Sequence, residues 1–105
     1  MTQQEEMRWK TARAMKKDFA KVIKAIRTQD GGNLKIKPMM TEAQMEKGTA
    51  TVNLGGEWTN YENSSNRADI VMNDERFQNF LIKWNAKAAR ELVTRFNVWQ
   101  IRISY

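Results

Sequence analysis

The chain has 105 residues with 41% hydrophobic content, which is enough for one compact core and predicts a single domain over 1–105, with residues 1–6 as a flexible N-terminus. It contains no Cys and no His, which excludes disulfides, Ser-His or Cys-His nucleophiles and the usual zinc ligands. The net charge of +6 arises within residues 1–38, which hold ten Lys and Arg against four Asp and Glu.

The first predicted element is a long amphipathic helix that ends at the turn residues 30–33. At 100° per residue, apolar side chains form one stripe along it: Ala12, Met15, Phe19, Val22, Ile23 and Ile26. On the opposite side, within an arc of about 80°, stand five cations: Lys10, Arg13, Lys17, Lys21 and Lys24. We call these five cations the basic helix face.

The basic helix face has three interpretations. A solvated surface usually intersperses both signs of charge, whereas this one is positive throughout, which favours contact with a polyanion. Binding to a membrane surface is the third use of a basic amphipathic helix. It fits less well, because the domain needs the apolar stripe to cover its sheet.

The middle of the chain alternates apolar and polar residues, the pattern of half-buried strands. Residues 34–38 predict a strand from which Lys35 and Lys37 point to solvent. Residues 41–48 predict a short helix, because they begin with a capping box and end in Gly. Residues 49–54 predict the next strand.

Gly55 and Gly56 interrupt that alternation, and residues 67–72 predict a further strand, so we expect a long hairpin bent at the two glycines. Trp58 and Tyr61 lie in this hairpin among polar neighbours. A bulge at the glycines would turn Tyr61 inward and Trp58 outward, and the absence of a bulge would reverse them. Either way, alternation predicts that only one of them belongs to the core.

After Asn73, an apolar stripe from Phe77 to Leu92 predicts a second long helix, and residues 98–105 alternate as a closing strand with Arg102 outward. The predicted fold is therefore a two-layer α+β domain. It has a mainly antiparallel sheet of about four strands and two main helices, in the order α-β-(short α)-β-β-α-β.

Carboxylates are the remaining candidates for chemistry. Those nearest in sequence are Glu57, Glu62, Asp69 and Asp74. In a hairpin such acids more often point to solvent or pair with an arginine than converge on a metal ion. We therefore expect a protein that is not an enzyme, with no catalytic residue, no metal site and no cofactor.

The pattern favours a small basic nucleic-acid-binding protein, with single-stranded DNA or RNA preferred, because cations neutralise phosphates and exposed aromatics stack on bases. The predicted contacts are Lys10, Arg13, Lys17, Lys21, Lys24, Lys35, Lys37, Trp58, Tyr61 and Arg102. The alternative is a non-enzymatic protein interaction module, such as a phage or mobile-element inhibitor or assembly factor, with the two aromatics as anchors. Self-association through a sheet edge is a related expectation.

No apolar run approaches the roughly 18 residues of a membrane span, and the start of the chain has no apolar signal region. We therefore expect a cytoplasmic protein that does not contact membranes.

Overall fold

The fold is α+β: in the computed structural model, which describes residues 3–29, 34–56 and 58–105, helices pack on a four-stranded antiparallel sheet. The helices are α1 (Gln3–Thr28), α2 (Glu42–Lys47), α3 (Tyr61–Met72) and α4 (Glu75–Lys83). The strands are β1 (Lys37–Met39), β2 (Thr49–Asn53), β3 (Lys87–Val93) and β4 (Val98–Ser104), in the sheet order β1-β2-β4-β3.

α1 has the predicted amphipathic character, because five members of its apolar stripe are buried and Val22 packs against the core. The helix begins at Gln3 and so includes residues 3–6, for which the sequence predicts a flexible terminus. It ends at Thr28, and the predicted stop at residues 30–33 lies outside the described residues, as do residues 1 and 2.

The predicted strand over 34–38 is displaced toward its C-terminal end. β1 contains Pro38 at its centre, and Lys35 lies in the segment before the strand rather than on it. Proline fits there because β1 is an edge strand. On its open side no neighbouring strand accepts hydrogen bonds, so the missing N–H of a proline costs none. Ile36, just before the strand, is buried as its apolar character predicts.

The prediction of a short helix followed by a strand is confirmed. Thr41 and Gln44 form the capping box of α2, and Gly48 ends the helix with φ +69. In β2, Ala50 and Val52 are buried. β4 alternates as predicted, since Ile101 and Ile103 are fully buried while Arg102 is exposed.

The predicted strand over 67–72 is wrong, and with it the long bent hairpin. These residues form the second half of α3, whose N-cap Asn60 exchanges hydrogen bonds with Asn63. The buried side of α3 is formed by Ser64, Ala68 and Val71. Because one of these three positions is a polar serine, the apolar residues alone do not show the helical period of α3.

The second long helix is also shorter than predicted. α4 ends at Lys83, and the chain turns through Asn85, which adopts φ +50, before β3 begins at Lys87. Trp84, Ala88 and Leu92 are four residues apart, a spacing that fits one face of a helix. Residues four apart also lie on the same face of a strand, so this spacing does not separate the two structures. The order is therefore α-β-α-β-α-α-β-β.

One face of the sheet, called here the inner face, forms the core with residues of α1, α3 and α4. Register rows on this face join Val52 to Ile101 and Ala50 to Ile103. The alternate residues of the strands project from the outer face, where Asn53, Gln100 and Glu91 form one row. Among the helices of the described ranges, none is long and apolar enough to cross a membrane.

Candidate nucleic-acid interface

Arg67 of α3 binds Leu54, just after β2, and Thr59, shortly before α3. Its Nη1 donates to the carbonyl oxygen of Leu54 at 2.8 Å and to Thr59 Oγ1 at 3.2 Å. Gly55 has φ +150, a region that favours glycine, and a Cβ there would overlap Thr59 and the Arg67 guanidinium. Gly56 has open space around it. This anchored segment, which we call the glycine turn, presents the next aromatic side chain to solvent.

That aromatic is Trp58, which is 86% exposed. Tyr61, the first residue of α3, is 46% exposed and packs edge-on against Trp99, with ring centroids 5.6 Å apart. The guanidinium carbon of Arg90 lies 4.9 Å from the centroid of the Trp99 ring, in a cation–π contact. Neither Trp58 nor Tyr61 is a core residue, so the prediction from alternation that one of them belongs to the core is wrong. Tyr61 packs against the sheet through Trp99, whereas the Trp58 side chain is largely exposed.

A cleft of about 600 Å³ lies on one side of the glycine turn and is called here the aromatic cleft. It opens at the end of the sheet where β2 ends and the β3–β4 turn begins. Phe96 in that turn, 68% exposed, and Trp99 supply its aromatic lining, while Asn53 and Gln100 supply amide groups.

A second cleft, of about 360 Å³, lies on the other side of the glycine turn and is called here the basic cleft. Arg27 of α1 lines it together with Lys35 and Lys37, and Leu34 and Ile36 add apolar lining. Among the ion pairs of the described residues, none involves these three cations. Because Gly55 and Gly56 line both clefts, cationic and aromatic groups meet at this turn.

The basic helix face is exposed along its whole length. Its last member, Lys24, precedes Arg27 by about 60° around the helix and about 4.5 Å along it, so the face reaches the basic cleft at its C-terminal end. Lys10 lies about 25 Å from Arg27 along the axis. Only one end of the predicted helical surface thus adjoins the clefts.

Arg102 lies apart from these cations. It projects from the outer face of the sheet, in the row that joins Met39, Thr51 and Ala89. Its Nη1 lies 3.5 Å from a carboxylate oxygen of Glu91, so an acid partly offsets its charge.

Two of the four carboxylates considered from sequence have structural partners, and a third, Glu62, is exposed in the first turn of α3. Asp69 pairs with Arg90, and Asp74 caps α4 and pairs with Arg76. Glu57 lies outside the described residues. Within the described ranges, no three acids come together in a way that could hold a metal ion.

Sequence patterns missed two residues of this surface. Arg27 lies off the arc of the basic helix face, because it stands on the flank of α1 that approaches the segment before β1. Phe96 was missed because the predicted long helix, with its apolar stripe from Phe77 to Leu92, left no turn between two strands at residues 94–97. Prediction of a β-hairpin over residues 87–104 would have placed Phe96 in the turn.

Comparison of the chain with protein-family models, with curated proteins and with solved structures found no match.

Proposed function

We propose that the protein binds single-stranded nucleic acid across the glycine turn, with phosphates toward the basic cleft and bases toward Trp58 and the aromatic cleft. One observation carries this proposal: Trp58, 86% exposed, follows two residues after Gly56, which lines a cleft together with three cations that have no ion-pair partner among the described residues. The exposed indole offers a large flat face on which an unpaired base can stack.

The two kinds of groups match the chemistry of a single strand. Phosphates attract Lys and Arg, and the release of counterions makes the affinity depend on salt. Unpaired bases stack on aromatic side chains, which duplex bases cannot do without leaving their own stack. In this proposal the basic helix face from Lys24 toward Lys10 extends the phosphate track beyond the cleft.

The first test follows the binding of labelled single-stranded DNA and RNA, and of the matching duplexes, as salt is raised. We expect salt-sensitive binding that favours the single strands. Trp58→Ala should weaken binding by about 5- to 150-fold, since stacking on one base is worth about 1–3 kcal/mol. Trp58→Phe, which keeps a ring at the same position, should retain most of the affinity.

Three matched charge reversals locate the phosphate contacts. Lys37→Glu changes the basic cleft, Lys24→Glu changes the end of the basic helix face, and Lys47→Glu makes the same change of charge at the end of α2. The first two should weaken binding and make the salt dependence shallower, while the third should leave both unchanged. Absence of salt-sensitive binding at micromolar protein, or equal effects of all three changes, would contradict the proposal.

A further inference from the structure

The two edges of the sheet differ in their capacity to accept another strand. The β1 edge has three residues, and Pro38 at its centre has no N–H to donate. The β3 edge has seven residues and contains neither Pro nor Gly. An edge strand directs the N–H and C=O groups of alternate residues away from the sheet, so β3 offers the longer row of groups for pairing.

Large apolar side chains are exposed near both ends of this edge. Ile82, in the last turn of α4 just before β3, is 77% exposed, and Phe96, in the turn just after β3, is 68% exposed. When two copies of β3 pair antiparallel, the start of each strand lies beside the end of the other. Ile82 of each copy then lies toward Phe96 of the other, and both exposed residues gain an apolar neighbour.

Among the symmetric registers that keep the outer faces continuous, the charges of β3 favour one, because it sets opposite charges against each other. A register centred on Ala89 sets Lys87 of each copy opposite Glu91 of the other. Centring on Arg90 opposes two arginines, and centring on Glu91 opposes two glutamates, and like charges directly opposite each other destabilise a strand pair. Lys87 is exposed and has no ion pair within the described ranges, so it is available to this carboxylate.

We propose that the partner of β3 is the β3 of a second copy of this chain, paired antiparallel about Ala89, so that two four-stranded sheets join into one of eight strands. On the inner face this register sets the small Ala88 opposite Arg90 of the other copy. Arg90 can then keep its bonds to Asp69 and Ser65 of α3 within its own chain. The argument for this pairing does not rest on nucleic-acid binding, although Phe96 also lines the aromatic cleft.

Charge exchange tests the register. In sedimentation equilibrium the native chain should dimerise. Lys87→Glu, and separately Glu91→Lys, should raise the dimer dissociation constant by about tenfold, because each change opposes like charges twice. The double variant Lys87→Glu/Glu91→Lys should recover dimerisation, which also shows that the changes do not act by unfolding. A monomeric native chain, or a double variant weaker than both single variants, overturns the proposal.

Disulfide trapping gives a second test, made clean by the absence of Cys from the sequence. The two Ala89 Cα atoms face each other at about 4.5–5.5 Å, within the range of a disulfide. Ala89→Cys should therefore form a covalent dimer under mild oxidation. Lys87→Cys should not, since its two copies lie about 13 Å apart along the strands. Equal trapping at both positions, or none at Ala89→Cys, rejects this pairing.

Discussion

At the scale of single residues, Gly55 and Gly56 are adjacent and alike in sequence but differ in what the fold requires of them. Gly55 adopts φ +150 and has Thr59 and Arg67 packed where a Cβ would stand. Gly56 has no atom within 4 Å of an added Cβ. The shape of the glycine turn therefore depends on the first glycine rather than on the pair.

We expect Gly55→Ala to lower the free energy of unfolding by about 1–3 kcal/mol, because the side chain is strained and displaces the Arg67 guanidinium. Gly56→Ala is the matched control and should change stability by less than about 1 kcal/mol. Urea unfolding of the two variants gives the comparison. Equal stabilities would show that the turn tolerates a side chain at either position.

Trp58 and Tyr61 show how far sequence alone reaches at this scale. Their polar neighbours predict correctly that a large aromatic is exposed. Alternation wrongly places one of them in the core, because Tyr61 lies on a helix rather than a strand and its ring packs against Trp99, a residue 38 positions away in sequence.

At the scale of elements, α3 is the helix that sequence patterns fail to predict. Its capping box uses two asparagines instead of the commoner Ser or Thr with Glu. Its buried stripe includes Ser64, whose hydroxyl donates to the carbonyl oxygen of Asn60 and accepts from the backbone N–H of Trp99 at 2.9 Å. The helix is therefore specified by hydrogen bonds rather than by an apolar period.

Asn60→Ala should consequently destabilise the protein by about 1 kcal/mol, because it leaves the Asn63 N–H without its capping acceptor. Asn66→Ala removes the same side chain from an exposed position within α3 and should be neutral or slightly stabilising, since Ala favours helix. The urea midpoints of the two variants decide this. A larger loss from Asn66→Ala would mean that the cap contributes little.

At the scale of the whole molecule, fold class and sheet size can be predicted from the sequence. In α1, β2 and β4 the apolar residues recur at the spacing of a helix or a strand, and these residues are the buried ones. Topology does not follow, since the apolar spacing from Trp84 to Leu92 suits both a helix and a strand. The candidate site depends on that topology, as Arg27 and Phe96 reach the glycine turn only after α1 and the β3–β4 hairpin are positioned.

The contact between α1 and α4 links the stability of the whole molecule to pH. Asp18 of α1 accepts hydrogen bonds from Lys83 and from the Trp84 indole N–H, and the Lys83 bond is the main cause that lowers the pKa of Asp18. The hydrogen bond from the Arg76 side chain is the main cause that lowers the pKa of Asp74 at the start of α4. Arg76 also donates to Gln29, next to the end of α1.

Because the folded pKa of both acids lies below the value of about 3.9 in an unfolded chain, the unfolded state binds more protons in acid. These contacts therefore contribute fully above about pH 5, and their contribution is lost as the pH falls through the folded pKa values. The free energy of unfolding should therefore fall as the pH is lowered. The fall becomes steeper because protonation also neutralises the carboxylates that partly balance the charge of 18 Lys and Arg, which then repel one another.

Asp18→Asn should lower stability at neutral pH and make its dependence on acid shallower. The control Glu42→Gln removes a carboxylate from α2 and should leave the α1–α4 contribution intact. Urea unfolding from neutral to acidic pH measures both, and an unchanged slope for Asp18→Asn would exclude this ion pair as a source of the pH dependence.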